Sequence, residues 1–286
     1  MCACRGTAGF AHVSCLAEQA KILCDEAEEN NLGVKVMAER WDRWYKCSLC
    51  EQDYHGVVCC ALGWACWKTY VGRPEADAAR FMAINQLGNG LCDAQQYEAA
   101  LSVRQTVLAT RRRNGASENS ILVAQSNLAS TYGALGQIDR AIQLERDIYH
   151  GKSRLLGEEH KDTLISANNY ADSLLDLRRF EEAKALWRRT TPVARRVLGE
   201  NHEDTLRLRW SYARALYKDP GATLDDLREA VTMLEETERT ARRVLGGVHP
   251  LTEGIEKSLQ NARAALAARD GGDASSVREA LRKAEV

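Results

Sequence analysis

The stretch LGEEHKDTL at Leu156–Leu164 returns as LGENHEDTL at Leu198–Leu206, and a weaker copy, LGGVHPLT, occupies Leu245–Thr252. Gly157 and Gly199 are 42 residues apart and Gly199 and Gly246 are 47, the five additional residues being expected around YKDPGATLDD. One period before Gly157 lies Gly115, in RRRNGASENSIL, so the register continues upstream. A unit of this length buries its apolar face only by stacking on copies of itself, which restricts the chain to a repeat architecture.

Each unit reads as two helices. Ile121, Leu122, Leu128, Tyr132 and Leu135 are spaced for one helical face, and Gly136 then interrupts the pattern. A second helix carries Ile138, Ala141, Ile142, Leu144, Ile148 and Leu155. Four helix pairs are expected at about 75–113, 118–156, 160–198 and 202–246, with a closing helix near 250–268. The fold class is therefore all-α, a right-handed helical-repeat solenoid carrying a small N-terminal module. Ala99, Ala141 and Ala183 recur at 42-residue spacing, where two helices are expected to approach closely. Pro192 should kink the second helix of the third pair. The end RDGGDASSVREALRKAEV reads as a flexible tail over 269–286.

At NNYADSLLDLRRFEEAKALW and SNLASTYGALGQIDRAIQL the array resembles tetratricopeptide repeats, and in its 42-residue period the kinesin light chain class of them. The resemblance spans about 75–268 and implies a concave surface of inner helices that holds a protein or peptide. Asn85, Asn127 and Asn169 recur in phase, with Ser211 in the fourth place, and match that class's inner-helix asparagine. An amide both donates and accepts, so a row of them holds an extended backbone whatever its side chains. Bridging between neighbouring helices of the scaffold is the equal alternative.

Chemistry of another kind is concentrated at the start. Of ten cysteines, nine lie in residues 1–66 and the last is Cys92. With no secretory leader ahead of them, that clustering points to reduced thiols and an intracellular, cytoplasmic setting. Cys2-x-Cys4, His12-x-x-Cys15 and Cys47-x-x-Cys50 are three closely spaced ligand pairs. Tetrahedral zinc takes four soft or borderline ligands, and a tight turn presents two of them to one ion. Cys2, Cys4, Cys47 and Cys50 make a complete Cys4 zinc site, while His12 and Cys15 are half of another. The alternative is a set of buried thiols with no metal, the role expected for Cys24, Cys59, Cys60, Cys66 and Cys92.

The order CAC, HVSCL, CSLC resembles the RING-CH finger, the RING variant of membrane-associated and related ubiquitin ligases. That family's pattern opens with a further Cys-x-x-Cys, so the resemblance implies an N-terminally truncated finger over 1–55, with a linker helix over 56–74. It also implies a ubiquitin-conjugating enzyme as partner and a ligase component whose repeats recruit substrate. Two features of the family's docking face are missing: the apolar residue inside the first pair, and a tryptophan where this chain has Gln19. The reading that follows is a protein- or peptide-binding adaptor with a zinc-binding module, and a ligase component is the alternative.

Other classes are excluded more simply. The 39 Lys and Arg are interspersed with 40 Asp and Glu, leaving no basic field for nucleic acid. The longest apolar run, Val57–Trp67, falls short of the roughly 20 residues a membrane span needs. His160, His202 and His249 recur with the repeat, too far apart for one ion, and are expected at turns or helix starts. Arg111–Arg113 reads as a solvated helix end, Glu181–Glu182 as an exposed face, and no phosphate loop or nucleophile set is present.

Overall fold

The computed structural model describes residues 12–270. Among these, helices α1 (Val13–Glu29), α2 (Val34–Trp41) and α3 (Gly56–Tyr70) precede four helix pairs. In chain order they comprise α4 (Ala78–Asp93) and α5 (Tyr97–Arg113), α6 (Glu118–Ala134) and then α7 (Ile138–Leu156), α8 (Lys161–Asp176) and α9 (Phe180–Leu198), and α10 (Glu203–Lys218) and α11 (Leu224–Leu245), with α4 packed on α5, α8 on α9 and α10 on α11. Helix α12 (Pro250–Asp270) closes the series. The described residues contain no strand beyond one isolated antiparallel bridge, Lys46 to Asp53. None of their helices is long and apolar enough to cross a membrane. The chain forms two compact units, Met1–Ala141 and Ile142–Val286.

Local chemistry sets the hairpin ends. Within the first three pairs the turn residue is left-handed, at Gln95 (φ 60°), Gly136 (φ 70°) and Arg178 (φ 58°). The next amide reaches back to close the helix end: Gln96 to the Leu91 carbonyl, Gln137 to Tyr132 and Arg179 to Leu174, each at 2.8 Å. Between hairpins, Gly199 has φ 93° and ψ 159°, a conformation essentially confined to glycine. Asp77, Ser117 and Thr223 cap α4, α6 and α11, the last through a reciprocal bond with Asp226.

In the first unit α3 does more than join segments. A Cβ on Gly90 would lie 2.7 Å from the Cys59 carbonyl oxygen, and one on Gly63 would lie 3.0 Å from that of Gln86, so two glycines permit α3 and α4 to cross in near backbone contact. Trp41, Trp44 and Tyr70 form an aromatic cluster with the buried thiols of Cys24 and Cys66. In the second unit Trp187, Leu206, Leu216, Leu234 and Ile255 are fully buried in one continuous core.

One sequence expectation needs correction. Ala141 and Ala183 are buried, but Ala99 is exposed and its neighbour Ala100 takes the helix contact. The spacing from Gln95 to Gly136 is 41 residues, not 42, and this slips the first hairpin by one residue. Helix α9 runs unbroken through Pro192. The proline is exposed, as is Arg188, whose carbonyl loses its helical donor, so that carbonyl lies on the solvent side.

Candidate functional site

In the first unit, the first helices of successive hairpins are joined by amides. Asn127 Nδ2 on α6 donates to Asn85 Oδ1 on α4 at 3.3 Å, and Asn85 Nδ2 donates to the Phe81 carbonyl at 2.7 Å. Beneath them lies Arg104 of α5, buried although it is an arginine. Its Nη1 donates to Thr131 Oγ1 at 2.5 Å and to the Asn127 carbonyl, and its Nη2 donates to Asn89 Oδ1 at 3.1 Å. Burial pulls the guanidinium pKa down, and no carboxylate among the described residues pairs with it. The network fixes the half-buried Asn127 and the exposed Asn89 on one polar face. Counted back from the turn, Asn127 and Asn169 are each nine residues away and Asn85 is ten, so Asn85 is offset from the other two.

In the second unit Asn169 on α8 is exposed, and its amide has no hydrogen-bond partner among the described residues. Its neighbour Asn168 is the buried one. Asn168 Oδ1 accepts from Trp187 Nε1 at 2.9 Å, and its Nδ2 donates to Asp172 Oδ2 at 3.0 Å. The same carboxylate oxygen accepts from Ser211 at 3.1 Å, while Arg214 lies 3.4 Å from Asp172 Oδ1. Burial pushes the Asp172 carboxyl up to about 6, against the pull of Arg214 and the Ser211 hydroxyl. Burial also pushes Glu145 up to about 7; Ser173 opposes this and the charges of Asp172 and Asp176 add to it. Glu145 Oε2 is buried with no hydrogen-bond partner. Asn169 thus sits beside a preformed ionic network, and Arg214 is also held over the Trp210 ring at 5.4 Å. Spacing alone did not reveal Asn89, Arg104, Asn168, Asp172 or Glu145.

The described part of the cysteine cluster has a specific turn geometry. Cys47 N donates to the Gln52 carbonyl at 2.9 Å, Glu51 N returns to the Cys47 carbonyl at 3.0 Å, and Glu51 adopts φ 57°. The turn folds back so that Leu49 N donates to Cys47 Sγ at 3.4 Å. An amide aimed at sulfur favours the thiolate that a metal requires. Cys50 Sγ lies 3.8 Å from Gln52 Oε1. Cys47 and Cys50 pack with Val13, Leu16 and Ala17, so the fold brings the start of α1 to this turn. His12 and Cys15 occupy that start and are exposed. No three His, Cys, Asp or Glu side chains among the described residues converge as a metal-binding group. Cys2 and Cys4 lie outside the described residues. Cys24, Cys59, Cys60 and Cys66 are buried, and burial raises the pKa of each, Cys59 to about 11.

The repeated histidines are caps. The ring Nδ1 of His160 and of His202 accepts the amide of Asp162 and of Asp204, each at 3.1 Å, and that of His249 accepts from Leu251 at 3.2 Å. The basic run at the end of α5 is not uniform: Arg112 and Arg113 are exposed, whereas Arg111 folds over Phe81.

Residues 121–162 and 163–204 each match the model of the tetratricopeptide repeat family. Among solved structures, a Podosopora anserina protein provisionally assigned as a kinesin light chain, built of nearly identical TPR-like repeats, is similar with a TM-score of 0.56 and 24% identity. The match covers 75% of this chain and 97% of that one. BtubC (BKLC) from P. vanneervenii is similar with a TM-score of 0.57 and 15% identity, over 96% of this chain and 91% of that one. No curated protein sequence matches the chain. These likenesses establish the fold: an all-helical array of TPR-like repeats.

Proposed function

We propose that these repeats make the chain a binding adaptor for an extended peptide or protein segment. The observation that carries this reading is Asn169, whose amide is exposed and unbonded beside the fixed Asp172–Arg214 pair. A side chain with both a free donor and a free acceptor pairs with a peptide unit in either direction, so it holds backbone without selecting sequence. Asn89 and Asn127 give the first unit a similar polar face, and the charged groups around Asn169 supply selectivity. Selection from a displayed peptide library, with the chain as bait and its Asn169→Ala variant as control, tests the proposal.

The N-terminal segment is proposed to hold structural zinc through Cys2, Cys4, Cys47 and Cys50. What supports it is the fold-back turn at Cys47, with an amide directed at the sulfur, since thiolate ligands need such donors. The ion would contribute folding energy to the segment before α3 and no reaction step. A second centre would involve His12 and Cys15, exposed at the start of α1, with two ligands from elsewhere. The ligase reading, with a ubiquitin-conjugating enzyme as partner, draws on the resemblance alone.

A further inference from the structure

A cavity of about 380 Å³ opens in the first unit between α3, α4 and α5. Trp67, Phe81, Ile84 and Val107 give it an apolar lining, and two guanidinium groups, Arg80 and Arg111, enter the same space. Arg111 lies over the Phe81 ring, and its Nε is buried without an acceptor. Leaving such a donor unmet costs about 1–3 kcal/mol, so an arginine placed this way is a poor choice for stability alone. Neither arginine pairs with a carboxylate among the described residues. Glu75 also lines the cavity; its carboxylate is held by Arg113 at 2.5 Å, and the charge of Arg80 adds to the pull on it. Arg80 donates to the Arg73 carbonyl at 2.5 Å and faces Trp67, which fixes its position without neutralising it.

We propose that this cavity binds a carboxylate carried on an apolar body, with the charge meeting Arg111 and Arg80 and the body lying on Phe81 and Trp67. Guanidinium groups match the planar fork of a carboxylate, and the partly desolvated Nε gains most from the new bond. A phosphate dianion would leave the apolar lining unused. The volume admits one or two side chains, which suits a small organic acid or the C-terminal residue of a peptide. This site stands apart from the asparagine faces and does not depend on the reading of them.

The test is an NMR titration of the full chain with two pairs of probes. One pair is 4-phenylbutyrate and its neutral amide; the other is acetyl-Ala-Ala-Phe with a free C-terminal carboxylate and the same peptide amidated. At least one acid should bind at a single site, about tenfold or more tighter than its amide, and the tighter of the two acids identifies the source. Arg111→Met should abolish binding without lowering the melting temperature, because it removes an unsatisfied donor. Arg80→Gln should weaken binding, and the exposed control Arg112→Met should leave it unchanged. No shift with either acid up to about 10 mM, equal binding of acid and amide, or indifference to both cavity substitutions would overturn the proposal.

Discussion

Asn127 Nδ2 donates to Asn85 Oδ1 at 3.3 Å, joining helices that belong to two different hairpins. The bond gives the pair a scaffold role, yet it uses only one of Asn127's two donors and leaves its oxygen open. Asn127→Ala should therefore lower stability by about 1 kcal/mol, whereas Asn169→Ala should leave it unchanged within about 0.5 kcal/mol. Urea unfolding of the two variants measures the difference; equal losses would mean that Asn169 is also tied into the scaffold.

The histidine caps make a second comparison. His202→Ala removes the acceptor for the Asp204 amide and should cost about 1 kcal/mol, while His202→Asn, which keeps an acceptor, should cost much less. Gly199→Ala should cost about 1–3 kcal/mol, because φ 93° with ψ 159° strains any residue with a Cβ. Thermal melts rank the three, and a harmless Gly199→Ala would show that the turn relaxes freely.

Glu145 gives the second unit a pH dependence of definite sign. Its carboxyl is raised from an ordinary value near 4.5 to about 7, so the folded state binds the proton more tightly than the unfolded chain does. Stability from this group is full below about 4.5 and is lost as pH rises toward 7. Glu145→Gln keeps the neutral shape and should raise stability at neutral pH, on the order of 2 kcal/mol, with little effect near pH 4. Urea midpoints of wild type and variant at both pH values check this; a variant less stable at pH 7.5 would reverse the sign.

Metal content tests the cysteine assignment. The purified chain should carry about one zinc, and Cys47→Ser should lose it, since one of four ligands is removed. Chelation should loosen the N-terminal segment while the repeats keep their helical signal, because their cores come from stacking neighbours. A zinc-free chain with an ordered turn at Cys47 would assign these thiols to packing.

The repeat period made the hairpins legible because capping and turn chemistry recur with it: the glycine, then the histidine cap, then the apolar face. What the period could not decide was the choice between adjacent identical residues. Ala99 and Ala100 offer the same chemistry, and only the missing residue before Gly136 selects Ala100 for the helix contact. Asn168 and Asn169 pose the same problem, and the fold settles it by burying Asn168 against Trp187. Arg111 belongs to a run that reads as a solvated helix end, yet it folds over Phe81 of another helix, and the burial of Arg104 depends on Thr131 of a third. Cys47 and Cys50 were legible as a pair, but the packing of their turn on the start of α1 depends on apolar contacts that no spacing encodes.

The adaptor reading rests most directly on Asn169. Its decisive measurement is the affinity of a library-selected peptide for wild type and Asn169→Ala, taken by calorimetry beside a thermal melt of each. The account predicts binding at least about tenfold weaker in the variant, with an unchanged melting temperature. Equal affinity for both proteins would contradict it and move the binding surface away from this face.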